Sequence, residues 1–280
     1  MFFEQIKYNQ PLFRPPAEAN SLILQATYGC SWNKCAFCEM YSTKNFKIRS
    51  IDEINFDINS VLKSNINFNK IFLADGNAFV LNFEKLIKII NSINISFPKV
   101  RRISAYAMPK DIENKTLEQL IELKQNGLNL LYVGIETGNE ELLKLINKSE
   151  TYNSTLDGLL KAKKAGIKLS IMILNGLGGK NYSQQHASDS AKIINLIQPE
   201  FLSTLVLTFP FGEYFYTQKF KGNFISMNKI ELANELKLFL ENVYLQNTIF
   251  RSDHASNYII LKGMLNKDKE RILKEIDMNS

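Results

Sequence analysis

Cys30, Cys35 and Cys38 are the only cysteines in the chain, and they fall in one short stretch. Ser31 to Lys34 separate the first two, and Ala36 and Phe37 separate the last two. Three thiolates in one loop are one ligand short of closing a tetrahedral metal site. A 4Fe–4S cluster held this way keeps one iron open to a substrate or cofactor. Zinc accepts the same thiolates, with His254 or water as a fourth ligand, although structural zinc usually recruits two close cysteine pairs and only one is present. An odd, clustered set is not the framework of a secreted disulfide protein, so a reducing cytoplasm is the expected compartment.

The elements that must position this loop follow from the apolar pattern. Short apolar runs at 21–27, 70–74, 102–107, 128–135, 168–174 and 201–208 read as strands. Amphipathic stretches between them read as helices, with capping boxes at Ser50/Glu53, Thr116/Gln119 and Asn228/Glu231. Serial β-then-α units imply parallel strands with helices outside. The expected fold is α/β, a partial (β/α)6 TIM-like barrel with a short C-terminal extension, and its chemistry belongs at the C-terminal ends of the strands. The expected organisation is an N-terminal extension (1–20), a core barrel (21–210), and a helical and extended segment (211–280) covering the barrel mouth.

At 280 residues, 45% hydrophobic and 22% charged, the chain has an ordinary globular balance. No apolar run approaches the ~18 residues of a membrane span, and the first residues show no signal-peptide pattern. The formal net charge of +6 suits an anionic substrate. It also suits RNA, but the basic residues are scattered along the chain rather than gathered in a patch.

The cysteine loop with Phe37 before its last cysteine resembles the radical S-adenosylmethionine (radical SAM) superfamily, in which three residues rather than four separate the first two cysteines. Later segments resemble that superfamily's motifs in the same order. They are Asp75, Gly76, Asn77 and Ala78; Val133 to Gly138 followed by Leu143 to Lys148; and Asn175 to Gly179. The segments Phe13 to Pro16, Glu39 to Tyr41 and Phe250 to Tyr258 further resemble a small subgroup of unassigned substrate near the anaerobic coproporphyrinogen oxidase and methylthiotransferase cores.

The resemblance implies a 4Fe–4S cluster on Cys30, Cys35 and Cys38. It also implies S-adenosylmethionine at the open iron, its reductive cleavage to a 5′-deoxyadenosyl radical, and hydrogen abstraction from an organic substrate. A flavodoxin- or ferredoxin-like protein would supply the electron. The implied cofactor contacts are Phe37, Asp75, Gly76, Asn77, Ser104, Tyr106, Glu136, Lys148 and Gly176. Among them, Asn77 would hold the methionine amine, Glu136 the ribose, Lys148 the carboxylate, and the turn at Gly176 the adenine.

Other readings of the same residues stay open. Glu136 can be a strand-end carboxylate capping the next helix, Lys148 a surface lysine, and Phe37 simple loop packing. Ser104 and Tyr106 face inward by alternation whether or not they bind anything. His186 reads as a cap or surface residue at the start of a helix. Arg251, His254 and Asn257 sit in a polar segment and are the candidates for substrate contact, if that segment closes over the mouth. With no further cysteines, a second cluster for methylthiolation has no ligands here. The alternatives are a zinc- or iron–sulfur-binding module for RNA or protein, or an electron carrier.

Overall fold

The computed structural model describes residues 6–64 and 66–279; the first five residues of the expected N-terminal extension lie outside them. The chain forms two compact units, one comprising Met1–Asn33, Met40–Tyr132 and Gly158–Lys168, the other Lys34–Glu39, Val133–Asp157 and Leu169–Ser280.

The first unit carries β1 (Leu22–Gln25), β2 (Thr27–Tyr28), β3 (Lys47–Ile48), α1 (Ile51–Leu62), β4 (Lys70–Ala74), α2 (Phe83–Ser96), β5 (Arg102–Tyr106), α3 (Pro109–Glu113), α4 (Leu117–Gln125) and the start of β6 (Leu128–Glu136). β1, β4, β5 and β6 pair in that order, all parallel. The expected capping boxes at Ser50/Glu53 and Thr116/Gln119 start α1 and α4. α4 ends before Gly127, whose φ of 105° is one that L side chains rarely adopt.

The N-terminal segment is packed onto β1. The Asn9 amide and carbonyl bond reciprocally to the Gln25 side chain at 2.9 Å each, and the Tyr8 hydroxyl donates to the Ile23 carbonyl. Glu18, fully buried, accepts from Ser21, Arg102, Ser104 and the Tyr132 hydroxyl. Four donors offset the cost of burying one carboxylate.

The second unit continues from β6 into α5 (Glu140–Leu145) and α6 (Tyr152–Lys164), whose second half belongs to the first unit. Then follow β7 (Lys168–Asn175), α7 (Gly179–Ile197), β8 (Phe201–Val206), α8 (Glu213–Lys219), α9 (Lys229–Glu241), β9 (Ile249–Ser252), β10 (Leu261–Met264) and α10 (Leu265–Asn279). β7, β8 and β9 are parallel, and β10 runs antiparallel to β9.

Residues 249–252 differ from their expected role. They join the sheet beside β8 rather than lying across a mouth, because Phe250 and Ser252 alternate inward as buried strand residues.

Contacts fix the two faces of this part of the sheet. Thr204, Val206 and Ser252 line a small cavity with Leu232, Ala233 and Leu236 of α9, and the Asn175 side chain donates to the Leu232 carbonyl. By period-two alternation, Met172, Ser203, Leu205 and Arg251 point to the opposite face. There Leu205, like Phe37, packs against a cluster containing Ala36, Leu174, Tyr216 and Phe220. Among the described residues no helix is long and apolar enough to cross a membrane.

Candidate functional site

In the first unit, the turn after β4 is built around Asp75. Its carboxylate is fully buried and accepts from Lys44, from the Gly29 amide at 3.0 Å, and from Gln25. Burial pushes its pKa above the usual carboxylate range, against the pull of Lys44 and the Gly29 amide. Lys44 also donates to the Asn9 and Pro11 carbonyls. Asp75 Oδ2 therefore anchors the start of the cysteine loop, while Asp75 Oδ1 is buried without a partner.

Gly76 permits the close pass. A Cβ there would stand 2.5 Å from the Tyr41 ring and 3.0 Å from the Cys30 Cβ. Asn77 is fully buried, its amide nitrogen donating to Ser31 at 2.9 Å and to Asp111. Its carbonyl oxygen is buried without a partner, an acceptor left open beside the loop residue Ser31.

Ser104 has a different task from its expected one. Fully buried, it donates to Glu18 at 3.0 Å and lies 3.3 Å from the Ile71 carbonyl. Tyr106 packs edge-on against Phe72 and Tyr132, and burial pushes its hydroxyl pKa up.

In the second unit, Glu136 ends β6 with φ 68°, a left-handed conformation uncommon outside glycine and concentrated at functional positions. The side chain folds back over Gly134, where a Cβ would lie 2.1 Å from Glu136 Oε1. Lys148 pairs with that oxygen at 3.3 Å, both side chains being buried, while Oε2 is buried without a partner. Burial raises the Glu136 pKa, opposed by Lys148. Burial pulls the Lys148 pKa down, but Glu136, Cys35 and Glu150 together raise it.

The Lys148 ammonium stands 5.6 Å from the Phe37 ring centroid. The segment carrying Cys35 and Cys38 is tied down by Ala36 N–H to the Ile146 carbonyl at 2.8 Å, by Asn147 to the Lys34 carbonyl, and by a Lys219–Glu39 ion pair of 2.6 Å. None of the three cysteines is in a disulfide, and all are half-buried.

A buried network that the sequence reading missed supports the turn after β7. His186 is buried well inside α7 rather than capping it, because α7 begins at Gly179. Its Nδ1 lies 2.8 Å from Thr137 Oγ1, and its Nε2 is 3.8 Å from Glu235 Oε1 of α9. Glu235 accepts the Gly176 amide at 2.6 Å. Gly176, at φ 82°, has no room for a Cβ, which would meet Leu232 at 2.6 Å. A lone histidine and a glutamate 49 residues apart carry no joint sequence signal.

Burial pushes Glu235 up to about 7, and burial pushes His186 down to about 4. The raised Glu235 favours the fold below pH ~4.5 and loses that contribution as pH rises through 7. The depressed His186 favours the fold above pH ~6.5 and loses its contribution as pH falls toward 4. Between pH ~4.5 and 6.5 the folded pair holds one proton, on Glu235, and the unfolded pair also holds one, on His186, so the two slopes cancel. Glu235→Gln is expected to unmask the histidine, with stability falling on acidification below pH ~6.5. His186→Gln is expected to unmask the glutamate, with stability rising on acidification below pH ~7. Each change is on the order of 3 kcal/mol, and urea denaturation across that range measures both. Parallel pH profiles for wild type and both variants would contradict the account.

The tail candidates separate. His254 is exposed and bonds Ser256 in a local turn. Asn257 donates to the Thr204 carbonyl and accepts the Val206 amide, extending the edge of β8 on the face that α9 covers. Arg251 is exposed on the opposite face, the one shared with Met172 and Ser203.

The sequence model of the Radical SAM superfamily matches residues 24–189, more than half the chain, and the chain belongs to that superfamily. It is similar to the heme chaperone HemW of Buchnera aphidicola subsp. Acyrthosiphon pisum, 26% identical over 194 residues, covering 66% of this chain and 50% of that protein. HemW of Bacillus subtilis is 25% identical over 123 residues, 43% of this chain and 32% of that protein. An uncharacterized protein of Methanocaldococcus jannaschii is 24% identical over 263 residues, 85% of this chain and 50% of its own. The chain thus spans half or less of the length of these relatives.

Among solved structures, coproporphyrinogen III oxidase of Escherichia coli, described as a radical SAM enzyme, superposes with TM-score 0.58 at 17% identity, covering 79% of this chain and 52% of that one. Methylornithine synthase superposes with TM-score 0.53 at 14% identity, covering 92% and 81%. The fold class is therefore the one expected, α/β with a mostly parallel sheet of the partial TIM-barrel kind.

Membership implies a 4Fe–4S cluster and S-adenosylmethionine, and the residues present suit both. None of the three thiols is in a disulfide, and buried oxygens on Asp75, Asn77 and Glu136, able to accept from an amine or hydroxyl, have no protein partner.

Proposed function

We propose that this chain is a radical SAM enzyme acting on a small organic substrate. Cys30, Cys35 and Cys38 would hold the cluster. Reduced by a flavodoxin- or ferredoxin-like donor, the cluster would supply one electron for cleavage of S-adenosylmethionine to methionine and a 5′-deoxyadenosyl radical, the species that would take hydrogen from the substrate.

The chain's own residues bind and orient. The Asn77 carbonyl oxygen accepts from the methionine amine, and Glu136 Oε2 accepts from the ribose hydroxyls. Lys148, held over Phe37, offers its cation to the methionine carboxylate. Gly176, fixed by Glu235, keeps the adenine-side turn free of side-chain bulk. The reading rests above all on one observation, the buried Glu136–Lys148 pair with its open oxygen, left-handed backbone and proximity to the cysteine-bearing segment.

Equilibrium dialysis of labelled S-adenosylmethionine against the anaerobically reconstituted chain tests it. Stoichiometric binding that disappears in the cluster-free protein is expected. Stoichiometric zinc with no charge-transfer absorption would support the non-catalytic module instead, and a cluster with no affinity for S-adenosylmethionine would support an electron carrier.

The name of the HemW relatives adds a second reading, carriage of heme. Titration with hemin, followed at the Soret band, separates it from the first.

A further inference from the structure

Arg251, in β9, stands directly opposite Lys262 in β10 and beside Ser203 in β8, which is itself beside Met172 in β7. Directly opposed residues of an antiparallel pair share a face, so two cations are set side by side, an arrangement that costs stability when nothing offsets it. Both residues are exposed, and neither side chain has an ion-pair or hydrogen-bond partner among the described residues.

The face they occupy is not the one that α9 covers, since Ser252 and Thr204, their neighbours along the strands, line the cavity under α9. It is the face on which Leu205, two residues beyond Ser203, packs with Phe37 and Ala36 of the cysteine-bearing segment. It is also the face of the Glu136 carboxylate. A Cβ on Gly134 would meet that carboxylate and also the Met172 methyl, at 3.4 Å. Neighbouring strands are about 4.8 Å apart, so β9 runs roughly 10 Å from β7. An arginine side chain spans much of that distance. Ile249, on the same face as Arg251, and its cross-strand partner Met264 add apolar surface beside the cations.

We infer that Arg251 and Lys262, with Ser203, form the subsite that takes the carboxylate of a small organic substrate, the apolar part of which lies along Ile249 and Met264. The planar guanidinium fork fits a carboxylate bidentately, the ammonium adds charge, and the serine hydroxyl, which donates to the Ile171 carbonyl at 3.4 Å, adds a donor on turning from that long bond. A single bound anion relieves the repulsion between the two cations. The inference deepens the reading of the chain as an enzyme acting on a small organic substrate and gives that substrate a negative group.

The test uses the full chain at constant ionic strength, with thermal melting and calorimetric titration. The probes are benzoate, succinate and inorganic phosphate, with chloride as the control. Benzoate or succinate is expected to raise the melting temperature of wild type beyond the chloride control. Arg251→Gln and Lys262→Gln are each expected to weaken that probe at least about tenfold, and the double variant to abolish the response. Without probe, each single variant is expected to melt above wild type, because the repulsion is gone.

Equal responses of wild type and double variant would overturn the inference. So would a response to phosphate with none to either carboxylate, or single variants that melt below wild type while binding the probe unchanged. None of these measurements needs the cluster. A carboxylate response lost in the double variant, in a protein that takes up no iron, would uphold this subsite while ending the radical SAM reading.

Discussion

Replacing Cys30, Cys35 or Cys38 singly by alanine is expected to reduce iron from about four atoms per reconstituted chain to below one, with loss of the brown charge-transfer absorption. Each thiolate would serve a different iron, so no remaining pair can hold the cube. The protein should stay folded, because the loop is fixed by bonds that do not involve sulfur. Asp75 holds the Gly29 amide, Ile146 holds Ala36, Asn147 holds Lys34, and Lys219 holds Glu39. Circular dichroism and melting of the iron-free variants should therefore match those of the iron-free wild type. Full iron retention in any one variant would remove that cysteine from the ligand set.

The second large effect belongs to Glu136. Glu136→Ala leaves Lys148 buried without its ion-pair partner and is expected to cost about 3 kcal/mol in chemical denaturation. Affinity for S-adenosylmethionine should fall roughly 10- to 100-fold with the lost acceptor. Two further variants separate these effects. Glu136→Ala combined with Lys148→Met should recover most of the stability, since an apolar pair replaces a broken ionic one, but none of the affinity. Gly134→Ala should lower affinity with both charged residues retained, because its Cβ displaces the Glu136 carboxylate. Recovery of affinity in the double variant would show that the pair is structural only.

Much of this arrangement was legible in the chain. The apolar runs at 70–74, 128–135 and 201–208 are strands, and Ser50, Thr116 and Asn228 cap helices as their spacing to Glu53, Gln119 and Glu231 implies. These signals are local, set by periodicity and by bonds within one turn.

What was not legible is pairing across long separations. Asp75 reads as a ligand-binding acid, yet Lys44 and Gly29 take one of its two oxygens. Ser104 reads as an inward-facing contact until Glu18, 86 residues earlier, takes its hydroxyl. His186 reads as a cap until α7 starts early and buries it against Thr137. The Phe250 to Tyr258 segment reads as a lid because its residues are polar. Yet only alternate positions need be apolar in a strand covered on one face, and Phe250 and Ser252 supply the covered side.

The measurement that bears most directly on the central claim is a single anaerobic incubation of reconstituted, dithionite-reduced protein with S-adenosylmethionine, analysed for 5′-deoxyadenosine and methionine. The account predicts both products in equal amounts, formed by wild type, lost in Cys35→Ala, and reduced in Glu136→Ala when S-adenosylmethionine is limiting. A protein carrying about four irons per chain that yields neither product, with or without added carboxylate substrates, would contradict it.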